Sequence, residues 1–290
     1  MKRLFNILLL TLALATGAEA QELFAVPQAP DTCTSHESRC NYIVQHYWDK
    51  CDLTKPFDNS KDSLLVATMA NYFDIMRAGA NVNLALGSVR DLMFKAQANK
   101  SNFMKLISAA EYLLYMRPTP MIDDVYLAFA QSAADASWAK KEVRDYYGGQ
   151  VGRIKRTKLG ERIVDIPLTL TDGSKAPLSS MLDKEVTIIF ISDGSTDTAF
   201  ERTRLFTDIS LNQSIENGTL RVINILADEA PKQWDQASLD CAAKWTVGAN
   251  KDVLRTLDVR IMPCILILDA EGNVQVKNYS VDNLKQLLNS

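Results

Sequence analysis

The hydrophobic pattern changes its period partway along the chain. From about residue 40 to 150 the apolar positions recur at helical spacing. Tyr42, Val44, Tyr47 and Trp48 form an aromatic stripe ending in Asp49. The polar run Ser60–Ser63 opens a second segment carrying Leu64, Leu65, Met69, Tyr72, Phe73 and Met76, and Gly79 closes it. Val89, Leu92, Met93 and Phe94 mark another. Phe103 to Met116 follows, stopped by Pro118 and Pro120, and residues 122–147 hold one or two more. The aromatics and methionines at this spacing predict core packing between helices rather than a ligand box. Gly148, Gly149 and Gly152, then Arg153, Lys155, Arg156 and Lys158, predict a broken helix and a solvated boundary over 148–160.

Beyond Ile163 the period shortens. Ile163–Leu168 reads as an opening strand, followed by a turn at Thr171-Asp172-Gly173 and a short helical turn at Leu178-Ser179-Ser180. Val186–Ile191 is a β-branched run with Phe190, the composition of a buried central strand. A helix from Ser195 to about Asn217, a strand over Leu220–Leu226 and helical pieces over 237–245 and 249–257 come next. They are followed by strands over Cys264–Leu268 and Val274–Val276, and Ser280 caps a closing helix to Leu288. After the opening strand the order is β-α-β-α-β-β-α.

The N-terminus changes how the rest is read. Lys2 and Arg3 precede the nearly unbroken apolar run Leu4–Leu14, and Ala18-Glu19-Ala20 is a small-x-small cleavage site, so residues 1–20 read as a secretory signal peptide. The apolar run is too short to span a membrane, and no later run is long enough. The expected organisation is a signal segment over 1–20, a mostly α-helical domain over 21–150 and an α/β domain over 151–290. Export permits disulfides. Five cysteines, Cys33, Cys40, Cys51, Cys241 and Cys264, leave at least one thiol unpaired within the chain. The cluster Cys33, Cys40 and Cys51 predicts a stapled N-terminus with the pair unspecified. Cys33, His36 and Cys40 lack the second ligand pair that zinc requires, so no metal is assigned.

Charge narrows the function classes. Lys and Arg total 32 against 35 Asp and Glu, a net −3, which lacks the basic surface that nucleic-acid binding needs. The two histidines, His36 and His46, both precede residue 50, so no imidazole base serves the C-terminal half. Nothing in the chain calls for a cofactor.

Residues 159–290 resemble the thioredoxin-like domain of exported TlpA/ResA-type thiol–disulfide proteins. The resemblance is carried by the entry Leu159–Leu168, by Asp172-Gly173 with Leu178-Ser179-Ser180, and by Val259–Pro263 with Ile265–Asp269 and Gly272. The whole chain is also similar to secreted proteins of anaerobic Gram-negative bacteria that join a helical N-terminal domain of unknown function to such a domain. The resemblance implies a cis peptide bond before Pro263 and a redox C-x-x-C after the central strand. At that turn the sequence is Ser192-Asp193-Gly194-Ser195-Thr196-Asp197-Thr198, which puts Ser195 and Thr198 at the two cysteine positions. A hydroxyl is not a thiolate at neutral pH and forms no disulfide, so dithiol exchange is expected to be lost. Ser195 or Thr196 is expected to cap the following helix, and Asp193, Asp197 and Glu201 surround the turn.

Two expectations follow. The first is a non-catalytic module that binds a protein or peptide in the envelope, in the periplasm with secretion as the alternative, with Met262 and Pro263 offering an edge for strand addition. The alternative is a thiol–disulfide protein acting through Cys264 or Cys241. For Cys264 three readings stand: an inert buried thiol, a bridge to Cys241, or a reactive thiol.

Overall fold

The computed structural model describes residues 23–116 and 122–288. The expected signal segment, and Pro118 and Pro120, lie outside the described residues. The chain divides into two compact units, Met1–Ala109 and Ala110–Ser290.

The first unit is helical: α1 (His36–His46), α2 (Asp62–Gly79), α3 (Val82–Ala96) and α4 (Lys100–Ala110). Ser35 opens α1 as a capping box with Ser38, and Asn81 caps α3. The periodic residues turn inward as the pattern requires. Leu65, Met69, Tyr72, Phe73 and Met76 of α2 are buried, and the Tyr47 and Tyr72 rings lie 4.8 Å apart.

The second unit begins with a π-helical turn, Glu111–Tyr115, followed by α5 (Asp123–Ala134) and α6 (Lys141–Arg156). The glycines at 148, 149 and 152 do not break α6. Each costs about 1 kcal/mol of helix propensity relative to Ala, but the same stretch buries Tyr147, Val151 and Ile154, and Arg156 then donates to the carbonyls of Arg255 and Thr256. The segment is therefore the second half of a packed helix, not a solvated linker.

The sheet follows, with β1 (Pro167–Leu170), β2 (Lys175–Pro177), β3 (Val186–Ser192), β4 (Leu220–Leu226), β5 (Thr246–Ala249), β6 (Cys264–Asp269) and β7 (Val274–Tyr279). Its order is β2-β1-β5-β4-β3-β6-β7. β3 runs parallel to β4, β4 parallel to β5, and β6 antiparallel to both β3 and β7. The expected long helix after β3 is two helices, α7 (Thr196–Phe206) and α8 (Ile209–Glu216), because Asp208 starts a new N-cap by accepting from Leu211 N. β5 fills the gap between the two expected helical pieces, overlapping the second only at Ala249. Only one helical turn, α10 (Val253–Thr256), remains there, after α9 (Gln236–Ala242). Gly248 explains the close pairing of β5 with β1: a Cβ there would lie 3.1 Å from Thr169 O and 3.2 Å from Leu170 Cδ2. α11 (Val281–Leu288) closes the unit.

Alternation along the strands builds a core on each face of the sheet. Ile189, Ile191, Ile223, Ile225, Cys264 and Leu266 share one face; Ile188, Phe190, Val222, Cys241, Trp245 and Ile265 share the other.

Candidate functional site

The site gathers where β3 ends, beside the start of β6. Antiparallel register pairs Ile191 with Cys264, which sets Pro263 opposite Ser192 at the same end of the sheet. Leu226, at the end of β4, pairs with Ser192, and Ala227 N donates to Ser192 O at 2.7 Å.

The turn out of β3 is held by its own residues. Gly194 takes a left-handed φ of +77°, which the tight reversal needs and other residues resist. Asp193 Oδ1 accepts from Ser195 N at 3.0 Å and from Thr198 Oγ1 at 2.9 Å. Ser195 is the N-cap of α7, as expected of a hydroxyl there, although its bond from Thr198 N is long at 3.4 Å. The Ser195 and Thr198 hydroxyls lie 3.3 Å apart. The bonds from Ser195 and Thr198 hold the Asp193 carboxyl below its ordinary value. This negative charge would raise the pKa of any thiol placed beside it. Glu201 points its charge elsewhere, into Arg204, which also binds Asp282. The turn thus has hydroxyls and a carboxylate but no thiolate and no imidazole. It has none of the groups that disulfide exchange requires.

The strand entry on the other side is built from buried charge. The Met262–Pro263 bond is cis, as the resemblance implied. Met262 packs partly against the core, and among the described residues neither its N–H nor its C=O takes part in a backbone hydrogen bond. Just upstream, Arg260 binds Asp258 at 2.6 Å and Asp123 at 2.7 Å, while Lys277 lies 2.7 Å from Asp258 and 2.6 Å from Asp123. The four side chains are 0–10 % exposed. Two cations alternate with two carboxylates, so the cluster is neutral although nearly dry. Arg260 also stacks on Tyr115, its Cζ 4.4 Å from the ring centre. Burial alone would raise the Asp258 carboxyl, but Arg260 and Lys277 outweigh it and hold the pKa low. Asn278 adopts a left-handed φ of +55°, which Asn tolerates. From there it accepts from Arg260 N at 2.7 Å and donates to Asp258 O at 3.0 Å.

Both candidate thiols are buried. Cys264 is fully buried, its Sγ donating to Asn278 Oδ1 at 3.5 Å, and burial pushes its thiol up to about 12. Cys241 is buried, and burial raises its thiol as well. The proposed Cys241–Cys264 bridge is not formed: both are free thiols, Cys264 packing into the core on one face of the sheet and Cys241, on α9, into the core on the other. Cys33, Cys40 and Cys51 are also free thiols, so the expected N-terminal staple is not seen. Cys40 Sγ instead lies 3.6 Å from His36 Nε2, which contacts Ala78 O at 2.8 Å.

Sequence reasoning did not find the charge cluster or a second polar cluster, in which Glu111 accepts from Tyr146 and Gln150 at 2.6 Å each. The only signal was the pair of opposite charges flanking Val259 and an inward-facing lysine in a strand. Neither identifies Asp123, well over a hundred residues away, as the fourth member.

Comparison with known proteins places this architecture. Residues 11–150 match the sequence model of a domain of unknown function, DUF5106. No curated protein matches the chain. Among solved structures, the chain is similar to a thioredoxin-like protein from Bacteroides caccae, at 19 % identity and a TM-score of 0.77 over 92 % of this chain and 98 % of that one. It is similar over 47 % of its length to the C-terminal domain of an uncharacterized protein from Bacteroides fragilis, covering 99 % of that domain at 26 % identity and a TM-score of 0.42. The thioredoxin domain of a thiol-disulfide oxidoreductase from Bacteroides vulgatus aligns with 45 % of this chain and 95 % of its own, at 17 % identity and a TM-score of 0.38. The likeness to the Bacteroides caccae protein, together with the sheet order and the cis-proline strand, shows that the fold is thioredoxin-like.

Proposed function

We propose that the chain is an exported thioredoxin-fold protein that binds a protein or peptide of the cell envelope and performs no dithiol exchange. The observation that carries this reading is the pairing of an unbonded Met262 backbone beside cis-Pro263 with a turn whose redox positions hold Ser195 and Thr198. An open N–H and C=O next to a strand start suit an extended peptide, and Met262 supplies adaptable apolar contact. In this reading residues 1–20 direct export to the periplasm and are removed. In this reading the domains divide near residue 150, where the DUF5106 match ends, within α6 rather than at the Ala109/Ala110 break between the compact units. Among the described residues no helix is long and apolar enough to cross a membrane.

A peptide selected from a display library on the chain lacking residues 1–20 provides the test. Titrated calorimetrically, its affinity is expected to fall at least about tenfold, about 1.4 kcal/mol, in Pro263→Ala and in Met262→Asp. Equal affinity in both variants would remove the binding edge. The second arm is insulin reduction. No turnover is expected of the natural chain, and turnover is expected to appear when Ser195→Cys and Thr198→Cys are combined. Turnover by the natural chain at the rate of that double variant would defeat the non-catalytic reading.

A further inference from the structure

A cavity of about 220 Å³ opens beside the turn, between α7, β4 and the start of α9. Its walls include Arg202, Asn224, Leu226, Trp234, Asp235 and Ser238. Two of these are unusual for a sheet face that otherwise packs apolar side chains. Asn224 is 2 % exposed and makes no side-chain hydrogen bond to any described residue, with Oδ1 buried and unpartnered. Leaving such an amide unpaired is costly, and a Val or Ile at this strand position would avoid the cost. Arg202 is 9 % exposed; one nitrogen donates to Ser238 Oγ at 2.8 Å and another lies 3.6 Å from Asp235 Oδ1. Asp235 is held in place as the N-cap of α9, accepting from Ser238 N at 2.6 Å.

The geometry points to a binding site for a free α-amino acid with an apolar side chain. The cavity lies below the roughly 300–1,000 Å³ of sites for drug-sized ligands, which favours a ligand of amino-acid size. Arg202 offers planar donors to a carboxylate. Asp235 and the Asn224 amide offer acceptors to an ammonium group. Charge balance selects the zwitterion. Arg202 is nearly buried while Asp235, 67 % exposed, stands at the rim, and the two together carry no net charge, so a ligand bearing one charge of each sign matches both without adding net charge. A ligand carrying both charges keeps the sum at zero while pairing each protein group. Leu226 and Trp234 then form an apolar wall for the ligand's side chain. The site is independent of the Met262 edge, and either could exist without the other.

The test titrates the chain lacking residues 1–20 with three probes: L-phenylalanine, N-acetyl-L-phenylalanine and L-phenylalaninamide. L-Phenylalanine is expected to bind at least about tenfold more tightly than either blocked form. Asp235→Asn, which keeps the α9 cap, is expected to reverse the order and favour the N-acetyl anion. Arg202→Gln is expected to weaken L-phenylalanine at least about tenfold. Equal affinity for the three probes, or no binding of any up to about 1 mM, overturns the proposal. So does an unchanged order of preference in a folded Asp235→Asn protein. If that variant does not fold, the three probes on the natural chain decide the matter alone.

Discussion

The two sides of the candidate site are held by opposite means. The turn after β3 is held locally: the exposed Asp193 and Ser195 and the buried Thr198 bond one another within six residues. The entry to β6 is held from a distance, by Asp123 on α5, Asp258 and Arg260 in the preceding loop, and Lys277 on β7, all nearly dry. A turn stabilised by its own short-range bonds loses little when one of them is removed, because the neighbouring residues and water can still satisfy the freed groups. A charge cluster has no such tolerance, because each member is a counter-ion for two others.

The largest expected effect is on the buried side. Lys277→Met removes one of two cations and leaves Asp123 and Asp258 to share Arg260. Breaking such a pair costs about 3–5 kcal/mol, to be read from denaturant unfolding. A loss under about 1 kcal/mol would mean that the cluster fills space without holding the fold. Acid sharpens the same point. The Asp258 carboxyl titrates below its unfolded value near 3.9, so the unfolded chain binds more protons there. The stability it contributes is therefore complete above that value and lost as pH falls toward the lower folded one. The difference between the natural chain and Lys277→Met is expected to shrink over that window.

Thiol protection is the next effect in size. With burial pushing Cys264 up to about 12, alkylation at pH 8 is expected to be on the order of a thousandfold slower than for an unfolded cysteine near 8.5. Rapid labelling of Cys264 in folded protein would show that β6 opens and would revive its redox reading. The smallest effect belongs to the turn. Ser195→Ala is expected to cost about 1 kcal/mol for the lost cap, while Ser195→Asp costs less because Asp also caps helices. A loss from Ser195→Ala as large as that from Lys277→Met would erase the contrast between the two sides.

Much of the site's local half could be read from residues alone. Ser195 as a helix cap follows from a hydroxyl placed after Asp-Gly at the end of an apolar run, and β4 coincides with its hydrophobic run, Leu220–Leu226. The α6 glycines misled because propensity is weak against burial: Tyr147, Val151 and Ile154 carry the helix through them. β5 was missed because it is four residues long and its pairing depends on Gly248, whose lack of a side chain matters only when β1 lies against it.

The sequence by itself determined the order of most strands, the helical character of α1 to α5, the presence of hydroxyls rather than thiols in the turn after β3 and the capping of α7. These depend on neighbours within a turn or two, where propensity, alternation and capping act. Only the tertiary structure decided that Cys241 and Cys264 lie on opposite faces of one sheet, that Asp123 neutralises Arg260 and Lys277, and that Asn224 and Arg202 share a cavity. The reason is desolvation: a charge or an amide in sequence carries no mark of whether it will be dry. Once it is buried, its partners must be found wherever the fold brings them, at whatever distance along the chain.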